Sequence, residues 1–296
     1  MINSVFISNM PSFWSRLVTM QVDKGSAHSQ GIFCMCRWIA YQGEPVFLEE
    51  FVTQPCQSLV AQSRRCREAK TEVNADGFGL GWYGDRIKPG VFRDIRPAWS
   101  DENLLSLAHQ IQSRLFFAHV RASTGTATTR ANCHPFTYGP WLFMHNGQVG
   151  GYDRIRRRID MAIPDELFSH RAGTTDSEAI FLLMLAHGLE HDPPVAIQKT
   201  LALIETEMAR GKIVEPLRFT SAFTDGHTLY AVRYASDGQP PTLYTRVCEK
   251  VMGTLVVSEP LDDGKNGWTA VPPQSLVTVT GDRIVVSRLS RELEFT

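Results

Sequence analysis

The sequence predicts an α+β layered sandwich, and three observations carry that reading. Short apolar segments bounded by turn residues read as strands along much of the chain. Roughly four helical stretches are inserted in the middle, and after Pro216 the pattern turns back to strands. A doubly wound βαβ sheet would instead alternate strand and helix throughout.

The first strand is read at Cys36–Tyr41 (CRWIAY), followed by a loop and helix over Pro55–Lys70. Phe78–Tyr83 (FGLGWY) is a glycine-rich strand, and glycine within a strand marks a bulge or the close approach of other backbone. Ser100 is the expected N-cap of a helix beginning DENLLSLAHQIQ, with a buried strand at Leu115–Val120 after it. Trp141–Met144 is a further strand, expected to end at His145-Asn146-Gly147. Thr175-Asp176-Ser177-Glu178 opens a helix as a Thr-x-x-Glu capping box ahead of the apolar run AIFLLMLAHGL. A second helix covers Val195–Arg210. Strands follow at Arg218–Thr224 and Thr228–Tyr234, joined as a hairpin through Asp225-Gly226. The last strands are read at Thr242–Val247, Thr254–Ser258, Leu276–Thr280 and Ile284–Ser287.

The 296 residues can bury a core without disulfide or metal staples. Thirty basic side chains nearly cancel 31 acidic ones, which argues against a nucleic-acid or anionic-membrane partner, since either leaves a basic footprint. The six cysteines contain no CxxC pair, so a zinc ribbon or thioredoxin-type motif is not expected. They read as thiols in a reducing cytoplasm. No apolar run approaches the ~20 residues of a membrane span. Residues 1–34 hold apolar patches of no sustained period and make a poor signal peptide. The domain boundary is therefore placed at Cys36, with 1–35 as an extension and 36–296 as one domain.

Four clusters carry chemistry-bearing groups at strand ends or a helix start: Met35-Cys36-Arg37, His119-Val120-Arg121-Ala122-Ser123-Thr124-Gly125, His145-Asn146-Gly147, and Gly173 to Glu178. Such positions mount functional groups on a rigid frame. In this order and spacing the clusters resemble the class II glutamine amidotransferases, whose cysteine nucleophile is the mature first residue. Val73–Tyr83 and Ala131–Phe136 look most like the single-domain branch that includes the γ-glutamyl amidohydrolase of ergothioneine biosynthesis.

The resemblance implies the four-layer α-β-β-α sandwich of N-terminal-nucleophile hydrolases, no cofactor and no metal. It implies Cys36 as nucleophile, with its own α-amine as base, and Asn146 and Gly147 as oxyanion donors. Arg121 and Asp176 would grip the α-carboxylate and α-ammonium of a glutamine or γ-glutamyl group. Thr124 and His134 would join them in binding substrate. As written, Cys36 carries a peptide nitrogen, which cannot serve as that base. Either the true start is Met35 or residues 1–35 are a removed propeptide, and the irregular patterning favours the start at Met35. After residue 190 the chain has room only to complete the sandwich, so any acceptor chemistry falls to water or to a separate synthase partner.

Two rivals remain: a catalytically silent glutamine-sensing subunit, and an acylase of other amides, against which Arg121 and Asp176 together speak. His187 and His191 are one helical turn apart but have no acidic ligand at metal spacing. Arg154–Arg158 reads as a solvated basic face rather than a nucleic-acid patch.

Overall fold

The structure, a computed structural model, describes residues 36–68, 73–123, 125–263 and 267–289. The extension 1–35 and Thr124 lie outside the described residues. The first elements are β1 (Arg37–Phe47), α1 (Glu49–Val52), α2 (Leu59–Arg64), β2 (Phe78–Trp82), β3 (Gly90–Asp94), α3 (Glu102–Gln110), β4 (Gln112–Val120), β5 (Phe136–Tyr138) and β6 (Trp141–Gln148). Then come α4 (Tyr152–Met161), α5 (Asp165–Phe168), α6 (Asp176–Ala186) and α7 (Pro193–Arg210). They are followed by β7 (Arg218–Thr224), β8 (Leu229–Ala235), β9 (Tyr244–Cys248), β10 (Gly253–Val257), β11 (Thr269–Ala270), β12 (Ser275–Thr280) and β13 (Arg283–Arg288).

Among the described residues the strands form two antiparallel sheets, ordered β11-β9-β10-β1-β4-β2-β3 and β13-β12-β8-β7-β6-β5. Strand side chains alternate between faces, and here both faces of the central strands are apolar. On β1, Ile39 and Tyr41 pack with Val52, Leu59 and Leu104 from the α1–α3 side. Trp38 and Ala40 point the other way, onto Leu142 and Met144 of β6 and Ala222 of β7. On the far face of β6, Trp141 and Phe143 pack into the α4–α7 layer, where the Phe143 and Phe181 rings stack at 5.1 Å. The result is helices, sheet, sheet, helices: the four layers expected from the resemblance. Helix α6 buries Ala179 through Met184 without a polar face, as a helix enclosed on all sides must.

Several boundaries differ from the sequence reading for identifiable reasons. Asp101, not Ser100, caps α3: its Oδ1 accepts the Leu104 N–H at 2.8 Å, while Ser100 closes the preceding turn by donating to the Pro97 carbonyl. His145-Asn146-Gly147 does not end a strand but lies within β6, paired with Ser221, Thr220 and Phe219 of β7. Ladder pairing overrides the turn preference of an Asn-Gly dipeptide. The β7–β8 connection spans four residues, since Thr224 pairs with Leu229, and Asp225 Oδ1 accepts the N–H groups of His227 and Thr228. Glu178 does not close the capping box on Thr175. It reaches back to the N–H groups of Ala172 and Gly173 at 2.9 and 2.7 Å, while Thr175 Oγ1 accepts from Glu178 N as predicted.

The glycine-rich strand has the close neighbour its composition predicts. A Cβ at Gly79 would stand 2.0 Å from the carbonyl oxygen of His134, and one at Gly81 would stand 2.8 Å from Pro135. Bare backbone at β2 thus lets the His134-Pro135 segment lie against the sheet. Gly79→Ala should therefore cost about 3 kcal/mol by forcing backbone apart. Thermal unfolding should show a fall of roughly 8 °C, and an unchanged midpoint would contradict this packing.

Candidate active site

The site is built by the register of one strand pair. In the antiparallel β1–β4 ladder Arg37 faces Val120, so the residue before β1 lies beside the residue after β4. Cys36 is half-buried there. Its Sγ lies 3.4 Å from the Ala122 nitrogen, which donates to it, and 3.6 Å from the Ala122 carbonyl oxygen. Cys36, Arg121, His134, Gly147 and Asp176 line a single small pocket. Five side chains or backbones singled out from sequence are thus brought together from five separate stretches of chain.

Arg121 is only 3% exposed, and its orientation is fixed by local partners. Nη1 donates to the Asp76 carbonyl at 3.3 Å, and Nη2 donates to Thr126 Oγ1 at 2.6 Å and Ser123 Oγ at 3.1 Å. Asp176 opens α6, where the helix N-terminus favours negative charge. Its Oδ2 accepts the Val149 N–H at 2.8 Å and its Oδ1 accepts the Ser177 N–H at 2.8 Å. A buried guanidinium and a braced carboxylate therefore face one pocket.

Asn146, beside this pocket in β6, is 1% exposed, and neither its amide nitrogen nor its amide oxygen has a hydrogen-bond partner. A buried amide left unpaired is costly to the fold. Gly147 admits no side chain, because a Cβ would fall 2.0 Å from the Arg218 carbonyl oxygen and 2.6 Å from His145 Nε2. His134, 4% exposed, stacks on His119 with ring centroids 4.2 Å apart, and both of its ring nitrogens lack partners.

Three imidazoles cluster here, and burial holds all of them neutral. Burial pushes His119 down to about 3, His134 far below the usual histidine range, and His145 below it as well. The His145 tautomer follows from its partners: Nε2 faces the Arg218 carbonyl at 3.2 Å and must donate. Nδ1 then accepts from Ser177 Oγ at 2.9 Å. His119 Nε2 donates in turn to the His145 carbonyl at 3.3 Å.

Sequence reasoning gave no role to Ser177, His119 or Arg37, although it quoted the motifs containing them. It gave no signal at all for Glu259, whose carboxylate meets Arg37 at 2.9 Å from the far end of the chain. His187 bonds Thr200 Oγ1 through Nδ1 at 2.9 Å. Among the described residues no group of three His, Cys, Asp or Glu is placed to share a metal ion. Within the basic run, Arg154, Arg156 and Arg158 pair with Glu215, Asp160 and Glu207.

This fold, with these groups at the ends of β1, β4 and β6 and the start of α6, is that of a known enzyme class. A sequence model of the class-II glutamine amidotransferases matches residues 47–239, and the chain belongs to that family. It is 32% identical to the probable glutamine amidotransferase DUG3 of Saccharomyces cerevisiae, over 85% of this chain and 84% of the relative. It is 31% identical to the gamma-glutamyl-hercynylcysteine sulfoxide hydrolase of Mycolicibacterium smegmatis, over 86% of this chain and 100% of the relative. Among solved structures it resembles a protein of Silicibacter pomeroyi described as a glutamine aminotransferase class-II domain protein. That match has 39% identity and a TM-score of 0.69 and covers 86% of this chain and 100% of the other. Among the described residues no helix is long and apolar enough to cross a membrane.

The buried imidazoles make stability depend on pH. Each is neutral when folded but takes a proton when unfolded below about 6.5, so the unfolded state binds more protons. The stability this contributes is present above pH 6.5 and is lost as pH falls toward about 3. Urea midpoints should drop between pH 7 and 5, and His119→Gln should flatten that slope. A slope indifferent to the substitution would assign the dependence to other groups.

Proposed function

We propose that the protein hydrolyses the amide of glutamine or of a γ-glutamyl compound through a thioester on Cys36. The observation that carries this reading is the pocket itself: one thiol, one guanidinium and one carboxylate share its walls, with the unpaired buried amide of Asn146 beside it. The thiol of Cys36 attacks the amide carbon, and ammonia or an amine leaves. Water then cleaves the thioester. The α-amine of Cys36 serves as base once residues 1–35 are absent, because a free amine has pKa ~8 and a peptide nitrogen has no basicity to offer. Removal of that segment, or a start at Met35 followed by loss of that initiator methionine, is part of the proposal.

Asn146 through its side-chain NH₂ and Gly147 through its backbone N–H stabilise the oxyanion. Donors held in advance cost no reorganisation as charge develops, and each is worth about 3 kcal/mol. Arg121 takes the α-carboxylate and Asp176 the α-ammonium, with His134 and Thr124 completing the acyl subsite. The low basicity of buried His134 and His145 supports the same-residue amine as base, since burial disfavours the protonated ring that either would have to become. The γ-glutamyl class of substrate is favoured by the relative from Mycolicibacterium smegmatis, which is named as a gamma-glutamyl-hercynylcysteine sulfoxide hydrolase.

Ammonia or amine release by a chain begun at Met35, with glutamine and a panel of γ-glutamyl amides, tests the proposal. Cys36→Ser should abolish turnover, Asn146→Ala should lower kcat about 100-fold, and Arg121→Ala should act mainly on KM. Full activity from a mature protein that intact-mass measurement shows to retain residues 1–35 would sink the same-residue base. Activity indifferent to Arg121→Ala would sink γ-glutamyl recognition.

A further inference from the structure

Arg37 has no part in the chemistry above, yet it is 0% exposed, a costly place for a permanent charge. Its Nε donates to Glu259 Oε2 at 2.9 Å, and its Nη1 donates to the carbonyl oxygen of Cys36 at 2.9 Å. Glu259 is 2% exposed and is fixed in turn. Its carboxylate accepts the backbone N–H groups of Arg67 at 2.9 Å and Glu68 at 3.1 Å. An apolar pair of the same volume would serve the fold as well as this ion pair. It could not grip the Cys36 main chain or set a charge beside it.

We propose that Arg37, held by Glu259, is a positioning residue for Cys36: its fork locks the Cys36 carbonyl so that the thiol faces Ala122, and its charge favours the thiolate. The inference rests on the Cys36 reading given above. The guanidinium bonds Cys36 directly and Glu259 bonds the guanidinium, so the positive member is nearer and sets the sign. A neighbouring cation stabilises thiolate over thiol and amine over ammonium, which is what a nucleophile and base on one residue require. The other titratable and charged groups facing Cys36 across the pocket are Arg121 after β4, His134 before β5, His145 in β6 and Asp176 on α6. Burial keeps both histidines neutral.

The test is the pH dependence of Cys36 alkylation by iodoacetamide in the purified protein, with its N-terminus read by intact mass. Labelling is followed at the Cys36 peptide so that the exposed Cys56 does not count. In Arg37→Met, Glu259 keeps its two backbone donors. The alkylation midpoint should rise by about one pH unit, with kcat falling more than KM changes. Arg37→Lys, which keeps the charge but not the fork, should return the midpoint part of the way without restoring kcat. Glu259→Gln leaves the guanidinium uncompensated and should lower the midpoint, which keeps the idea testable if Arg37→Met does not fold. A lowered melting temperature with an unmoved midpoint across the variants would make the pair a structural brace and overturn the proposal. A shifted midpoint in a protein that cleaves no γ-glutamyl amide would overturn the functional reading and leave this one standing.

Discussion

The arrangement depends on the pairing of β1 with β4. Because Arg37 lies opposite Val120, the strand start that carries Cys36 is fixed against the strand end that carries Arg121 and Ala122. A slip of one residue would exchange the two faces of β1. Trp38 and Ala40 would leave the space between the sheets, and Ile39 and Tyr41 would leave the outer helices. Both apolar faces enforce the register, so the energy that buries the core also aligns the site.

The second wall depends on how α6 begins. Arg171 is enclosed among Asp160, Glu178, Tyr152 and the Thr175 carbonyl, which fixes the turn that presents Asp176. The carboxylate of Glu178 ties down the Ala172 and Gly173 backbone on the same turn. Two charged side chains that never enter the pocket thus hold the one that does. On the opposite side Ser177 hands a hydrogen bond to His145, whose carbonyl is held by His119, so the backbone leading into Asn146 is under constraint.

Much of this was legible in the sequence because local chemistry and tertiary context agree. The run β7, turn, β8 and the Thr175 cap were read nearly to the residue, since turn and capping chemistry is local. The two glycines of FGLGWY announced a close neighbour, though not that it would be His134-Pro135. Errors arose where a long-range partner decided the outcome. Asn146-Gly147 has turn composition, but β7 claims it as strand. Ser100 and Asp101 are both good caps, and only the preceding turn selects between them. The Arg37–Glu259 contact joins residues 222 positions apart, and nothing in the neighbourhood of either residue foretells it.

That separation governs how the protein comes into being. The strand that flanks β1 on its other side is β10, followed at once by Ser258, whose Oγ accepts the Trp38 N–H at 2.9 Å, and by Glu259. During synthesis the first strand must wait for a neighbour made more than 200 residues later, and such distant pairings close slowly. An emerging chain on the ribosome therefore carries Cys36 and Arg37 without the Glu259 contact until the residues after β10 have been made.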